Sequence, residues 1–379
     1  MIITNGLVFS DAGEFRSVDI EVQNGIITDV GEKLSTAGHE IINAQGCYVV
    51  PGLVDIHTHG AMGADFCDAA PPAIEAIAKY QLECGVTSFL GTTMTLPEEL
   101  IMKICRIAAP YVNEIHPGQA VLRGIHLEGP FIGYEKRGAQ NADYIQKPDY
   151  LALERFNEAS GDAIRLIVVA PEVDGGLEFI KEAAAVCTVS LAHSSSNYEA
   201  ACKAFSCGAN HVTHLFNGMN PFTHREPGIA GAAFDADAYV ELITDGVHIH
   251  PAVIRAVFKL FGENRVCLIS DAMRACGLSD GHYELGGQTV SVTGRSSTLE
   301  GGSLAGSVTN LADCMRLSVE YGVPLSAAVK AATINPAKSV GIDKHIGSLS
   351  VGKQADILIL DKKLNLKQTF LAGQLSTTI

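Results

Sequence analysis

Asp55-Ile56-His57-Thr58-His59 places two imidazoles two residues apart. In an extended strand such residues share a face, so both rings reach one point, and that point suits a borderline divalent metal ion. Two unrelated histidines would give the same pair. The metal reading gains from its place, after an apolar run and just before Gly60, where strand-end nitrogens are open to a ligand. Glu128, in His126-Leu127-Glu128-Gly129-Pro130, supplies a carboxylate able to coordinate or bridge metals. His193 follows Val189-Ser190-Leu191-Ala192, and His214 follows His211-Val212-Thr213. Singly, Glu128 reads as a salt-bridge partner and each histidine as a hydrogen-bonded core residue. Together, four histidines and a glutamate at the ends of apolar runs make a metal site. Asp271, in Leu268-Ile269-Ser270-Asp271-Ala272-Met273, is a general base beside such a site or, alternatively, a helix N-cap.

Loops of another character surround these residues. Leu215-Phe216-Asn217-Gly218-Met219-Asn220 and His224-Arg225-Glu226-Pro227-Gly228 leave backbone N–H groups free for a ligand. Arg225 offers a fork of donors suited to phosphate or carboxylate, or else a surface ion pair with Glu226. Asp245-Gly246-Val247-His248 adds an imidazole. Gly301-Gly302-Ser303-Leu304-Ala305-Gly306 lacks the Gly-Lys-Ser/Thr of a nucleotide phosphate loop, and no dinucleotide fingerprint opens the chain.

Something must hold these side chains at one place. Short apolar runs end near His57, Thr92, Glu128, Pro171, His193, His214, Asp245 and Asp271, and eight is the count of a (β/α)8 barrel. The stretches between them, such as Pro72 to Cys84, Leu177 to Val186, Tyr198 to Cys207 and Pro251 to Phe261, have helical length and spacing. A doubly wound sheet is the rival, but polar residues at so many strand ends favour the barrel, whose chemistry sits on that face. Val290 and Val292 alternate like a surface hairpin within the Gly-rich stretch 277–302, and 307–321 and 325–332 return to helical spacing. At the start, Val18, Ile20 and Val22 alternate before an Asn24-Gly25 turn; at the end, 355–360 is extended and Ala372-Gly373 turns the chain. Neither β segment buries a face alone, so the two ends pair into one small β-sandwich domain, 1–51 with 345–379, around a barrel of 52–344.

Composition narrows the partners. The 379 residues are 47% hydrophobic and 18% charged, which fits an ordered globular chain. Lys and Arg number 27 against 42 Asp and Glu, a net charge of −15, so nucleic acid and anionic membrane surfaces are disfavoured while a local cationic pocket is not. Ten cysteines, scattered without a C-x-x-C pair, read as reduced, buried thiols of a cytoplasmic protein. The N-terminus shows no basic segment followed by an apolar core, and no apolar run approaches a membrane span, so the chain reads as soluble.

The whole set resembles the amidohydrolase superfamily over almost the full length. Its entry motif is similar to Pro51-Gly52-Leu53-Val54-Asp55-Ile56-His57-Thr58-His59-Gly60, and its closing motif to Ala331 through Ala337 and Gly347 through Asp356. The motifs around Glu128, His214, Arg225 and Asp271 look like the branch that deacetylates phosphorylated amino sugars. That resemblance implies hydrolysis of the acetamide of N-acetylglucosamine 6-phosphate. It implies Glu128, His193 and His214 as ligands of a principal metal, and His57 and His59 as ligands of a second. Relatives lacking that pair work with one ion, so one or two per subunit are expected, of zinc, iron, manganese, cobalt or nickel. Asp271 matches the catalytic acid/base. Ala139, Gln140, Asn217, Gly218, Arg225, His248, Leu304, Ala305 and Gly306 match substrate-binding positions, Arg225 reaching across a homodimer interface. Gln140 departs from the pattern, since many members carry histidine there; its amide is still a donor for an oxyanion. Two other readings stay open, an adenine deaminase or dihydroorotase-like amidohydrolase and a non-catalytic barrel relative.

Overall fold

The computed structural model describes residues 1–378. Eight parallel strands form one sheet: β1 (Leu53–Thr58), β2 (Val86–Thr93), β3 (Val121–Leu127), β4 (Ile164–Val169), β5 (Thr188–Leu191), β6 (His211–Val212), β7 (Tyr239–Leu242) and β8 (Val266–Leu268). Each pairs with the next in sequence, so the order rules out a doubly wound sheet. Helices Pro71–Glu83, Glu98–Ala108, Tyr150–Ala159, Gly176–Ala183, Tyr198–Ser206, Gly228–Asp235 and Pro251–Phe261 return the chain between them. Alternate strand residues go to different cores, as in any barrel. Ile167 and Val169 pack with the helices, whereas Leu166 and Val168 join Cys267, Ile269, Ala337, Val340 and Ile346.

The first and last strands meet at an irregular seam. Backbone bonds close it from Asp271 N–H to His57 O (2.9 Å) and from His59 N–H to Ala272 O (2.8 Å). Below them a side chain takes over. The fully buried Asp55 accepts from Ser270 Oγ at 2.6 Å through Oδ2, and from the backbone N–H of Ser270 and His57 at 3.3 Å through Oδ1. Burial pushes its carboxyl up to about 6, against these hydrogen bonds, which favour the charged form.

Both chain ends build a β-sandwich. One sheet orders Ile26–Gly31, Asp19–Gln23, Ile2–Thr4 and Ile41–Asn43; the other orders Gln374–Thr378, Leu366–Leu371, Ile357–Leu360, Tyr48–Pro51, Leu7–Phe9 and Phe15–Ser17. Ile3, Ile20, Ile27, Val49, Ile357 and Phe370 form their shared core. Tyr48–Pro51 pairs antiparallel with Ile357–Leu360 and is one residue from β1. That residue is Gly52, where a Cβ would lie 2.1 Å from Thr87 Oγ1.

Two expectations need amending. The stretch after β8 is a three-stranded sheet, Gly281–Leu285, Gln288–Thr293 and Ser296–Leu299, because Ser296-Ser297-Thr298-Leu299 pairs without the alternation that marks a strand in sequence. The ten cysteines are all unpaired, but only Cys105, Cys267, Cys276 and Cys314 are buried and the rest are half-buried. No helix among the described residues is long and apolar enough to cross a membrane.

Asp55→Ala would leave the Ser270 N–H without an acceptor and its hydroxyl with only the longer 3.4 Å bond to His57 O in a buried seam, a loss of about 3 kcal/mol. Denaturant unfolding of metal-free wild type and variant measures it, and a difference below about 1 kcal/mol would show that the backbone bonds alone hold the closure.

Candidate metal centre and cavity

The predicted chemistry converges at the carboxyl ends of the strands. Glu128 directly follows β3, His193 and His214 lie two residues beyond β5 and β6, Asp271 lies three beyond β8, and His57 and His59 come from the end of β1. His193, His214 and Asp271 take positive φ, 45°, 33° and 48°. Non-glycine residues adopt that conformation at a cost of about 1–3 kcal/mol each, and such strain collects at functional sites. At Asp271 no helix begins, so the N-cap alternative is set aside.

Glu128 Oε1, His193 Nε2 and His214 Nε2 form a triangle with sides of 3.0, 3.1 and 3.1 Å. A second group adjoins it. His57 Nε2 and His59 Nε2 are 3.3 Å apart, His57 Nε2 is 3.5 Å from Glu128 Oε1, and His59 Nε2 is 3.3 Å from Glu128 Oε2. Asp271 Oδ1 lies 3.5 and 3.3 Å from the same two nitrogens. An ion about 2.0–2.1 Å from each donor gives donor–donor edges of about 2.9 Å in octahedral and 3.4 Å in tetrahedral geometry, so both groups have the right size.

Proton accounting makes the same case. His193 Nδ1 lies 3.0 Å from Lys136 O, a carbonyl that only accepts, and His57 Nδ1 lies 2.9 Å from the Glu241 carboxylate. In the neutral rings both Nε2 atoms therefore carry lone pairs, and these face carboxylate oxygens and each other's neighbours. Acceptors packed this closely need positive charge between them. Burial opposes charge on His57, yet Asp271, Glu241 and Glu128 together raise its pKa to about 9. His59 is likewise held well above its ordinary value by Asp271 and Glu128 against burial. For Glu128, burial is outweighed by His57, His193, His214 and His59, and the carboxyl stays well below the usual range. Protons thus fill a demand that a divalent cation meets better, and the residues fit such an ion. The further set of His57, His126 and Glu241 is not an independent site. His57 Nδ1 is already spent on Glu241, and His126, pushed well below its ordinary value by burial and by His57, is neutral with Nδ1 3.1 Å from Ile56 O.

Above the centre opens a cavity of about 440 Å³. Its floor holds His59, Glu128, His193, His214 and Asp271, and its walls include Ala139, Gln140, Asn217, Gly218, His248 and Leu304-Ala305-Gly306. Gly218 has φ 59°, and a Cβ there would come within 3.0 Å of His193 Nδ1. His248 Nδ1 is tied to Asp245 Oδ2 at 2.8 Å, which leaves Nε2 for a ligand. Gln140 is placed differently from the expectation of an oxyanion donor. Its Nε2 donates to Glu128 Oε2 at 2.6 Å and its Oε1 accepts from Thr95 N–H at 2.6 Å, so it orients Glu128. Arg225 is exposed and does not line the cavity of its own chain.

Three residues escaped the sequence reading. Asp55 and Glu241 were visible as charges inside the apolar runs Val54-Asp55-Ile56 and Val240-Glu241-Leu242, where a strand has no use for them unless they bind something. Lys136, which lines the cavity and whose carbonyl faces His193, carries no such signal.

An eight-stranded parallel barrel whose C-terminal mouth gathers histidines and acidic residues suits a divalent cation there, the arrangement of a metal-assisted hydrolase. The chain belongs to the amidohydrolase family, whose model matches residues 48–376. It is similar to N-acetylglucosamine-6-phosphate deacetylase from Lysinibacillus sphaericus, 34% identical over 99% of this chain and 97% of the relative. It is also similar to N-acetylgalactosamine-6-phosphate deacetylase from Escherichia coli O157:H7, 35% identical over 86% of this chain and 87% of the relative. Among solved structures, a variant of N-acetyl-D-glucosamine-6-phosphate deacetylase from Mycobacterium smegmatis in complex with N-acetyl-D-glucosamine-6-phosphate superposes with a TM-score of 0.93 at 31% identity, covering 100% of this chain and 99% of that one.

A bound ion should stabilise the fold. At a free concentration of about 100 Kd it adds about 2.7 kcal/mol, so a chelator should lower the thermal midpoint of wild type and leave that of Glu128→Gln nearly unchanged. Calorimetric scans with and without chelator read this, and a wild-type midpoint indifferent to chelator would count against a metal centre.

Proposed function

We propose that the enzyme hydrolyses the acetamide of N-acetyl-D-glucosamine 6-phosphate to D-glucosamine 6-phosphate and acetate, in amino-sugar catabolism. The observation that carries this reading is the joining of two donor groups through Glu128, with Asp271 beside them on the floor of a cavity sized for a monosaccharide phosphate. The relatives' names supply the substrate class.

Glu128, His193 and His214 would hold a principal divalent ion, with His57 and His59 holding a second. Such an ion supplies positive charge that polarises the acetamide carbonyl and lowers the pKa of water. Asp271 Oδ1 takes a proton from the water that attacks the carbonyl carbon. As the C–N bond breaks, Asp271 returns that proton to the departing amine nitrogen, and acetate is left. Although buried, Asp271 is held below its ordinary value by His57 and His59, so it stands ready as a base. Asn217, Gly218, His248 and the Leu304-Ala305-Gly306 turn contact the sugar and its phosphate.

Lys136 is the single Lys or Arg lining the cavity among the described residues, so one chain offers little positive charge to a phosphate dianion. A homodimer in which Arg225 enters the neighbouring chain's cavity supplies it, and the exposed loop carrying Phe222 and Arg225 suits that contact. The similarity to an N-acetylgalactosamine-6-phosphate deacetylase makes the 4-epimer the competing substrate.

Acetate release should be measured on both 6-phosphates and on unphosphorylated N-acetylglucosamine, with ammonia release from adenine as a separate arm. Asp271→Asn should lower kcat by about 10²–10⁴-fold with metal content unchanged; near-normal turnover would remove Asp271 from its role. Arg225→Ala should raise KM for the phosphorylated sugar alone, in a protein whose sedimentation reports a dimer.

A further inference from the structure

Glu241 lines no part of the cavity, yet it touches both halves of the centre. It lies on β7, fully buried inside the barrel. A single oxygen, Oε2, accepts His57 Nδ1–H at 2.9 Å and the backbone N–H of His214 at 3.2 Å. Its backbone carbonyl accepts the N–H of Leu215 at 2.9 Å, pinning the turn in which His214 takes positive φ. The other oxygen, Oε1, has no partner within the protein, and neither has Nε2 of His126 or His211. A carboxylate this deep is costly unless it serves a charge nearby. The His57 ring is completely buried, with the His126 ring 4.5 Å away, and Glu241 is the acceptor its Nδ1 finds.

We infer that Glu241 is a positioning residue that fixes His57 in its Nδ1–H form, aims the Nε2 lone pair at the second donor group, and so determines whether the centre holds two ions or one. The inference rests on the metal-dependent reading above. Without the carboxylate, a buried imidazole gains nothing from keeping its proton on Nδ1. With the proton on Nε2 the ring closes its lone pair to a cation and presents a hydrogen to Glu128 and Asp271 instead. Glu128, His193 and His214 do not depend on that proton: Lys136 O fixes the His193 ring, the Glu241 backbone carbonyl still accepts the Leu215 N–H, and an amide oxygen at position 241 can still accept the His214 N–H. The two halves of the centre should therefore separate when Glu241 alone is changed.

Metal-free wild type and Glu241→Gln are titrated with Zn²⁺ by calorimetry, and the cobalt-loaded proteins are compared by visible absorption. Glutamine keeps the volume and, through its amide oxygen, an acceptor for the His214 N–H, but removes the negative charge that holds the proton on His57 Nδ1. Wild type should take up two ions per chain. Glu241→Gln should keep the tighter ion within about 3-fold and bind the other about 10–100-fold more weakly, with loss of the cobalt absorption assigned to that position. Glu241→Asp, which retains the charge, should recover part of the lost affinity. Two ions of unchanged affinity in Glu241→Gln would overturn the inference, as would equal weakening of both ions or a variant whose circular dichroism shows it unfolded. A wild type with one ion per chain would also overturn it while leaving the hydrolytic reading intact. Two ions in wild type with no acetate released would do the reverse.

Discussion

Glu128 Oε1 sits 3.0–3.1 Å from two imidazole nitrogens that follow different strands, and all three residues are buried, so solvent screens little of what happens between them. If those nitrogens bear lone pairs, three acceptors repel; if positive charge is present, the same atoms attract it from three directions. Most of the surrounding architecture is arranged to keep that choice open for a cation. Gln140 holds the far oxygen of Glu128, Lys136 and Glu241 draw protons to the outer nitrogens of His193 and His57, and the positive φ angles at His193, His214 and Asp271 turn these side chains toward a common centre. The backbone strain and the crowded donors are parts of one arrangement, stabilised by whatever charge occupies it.

The position of the centre at the seam ties function to barrel closure. His57 O and His59 N–H, from the two residues that supply the second donor group, are also the backbone groups that join the first strand to the segment after the last. Asp55 reinforces the same junction from below. A shift of the closing strand would move Asp271 and His57 together, so the distance between base and ligands is protected even when the barrel flexes elsewhere.

Much of this was legible in the chain because the period of apolar residues and the chemistry of their terminal residues agree. Eight apolar runs, six of them ending in His, Glu or Asp, marked both the barrel and the donor set, and helices such as Pro251–Phe261 fell where spacing placed them. What escaped detection depends on three-dimensional neighbours. Glu241 and Asp55 act on residues far away in sequence, His214 and Ser270, so only their odd placement among apolar residues hinted at a task. Gln140 was read for what its amide offers a ligand, when Glu128 already claims it. Ser296–Leu299 became a strand because a neighbour's edge was available, which composition does not encode.

The direct passage from Tyr48–Pro51 through Gly52 into the first barrel strand carries a consequence for biosynthesis. The strand that completes its sheet, Ile357–Leu360, leaves the ribosome some three hundred residues later. Until then the nascent chain presents an apolar strand with an open edge beside the histidines of its future metal centre. Contacts of such sequence separation form slowly and leave edges exposed to wrong partners. Newly made chains would thus complete this sheet only once Ile357–Leu360 has been made, and cellular yield should respond to whatever shields that edge until then.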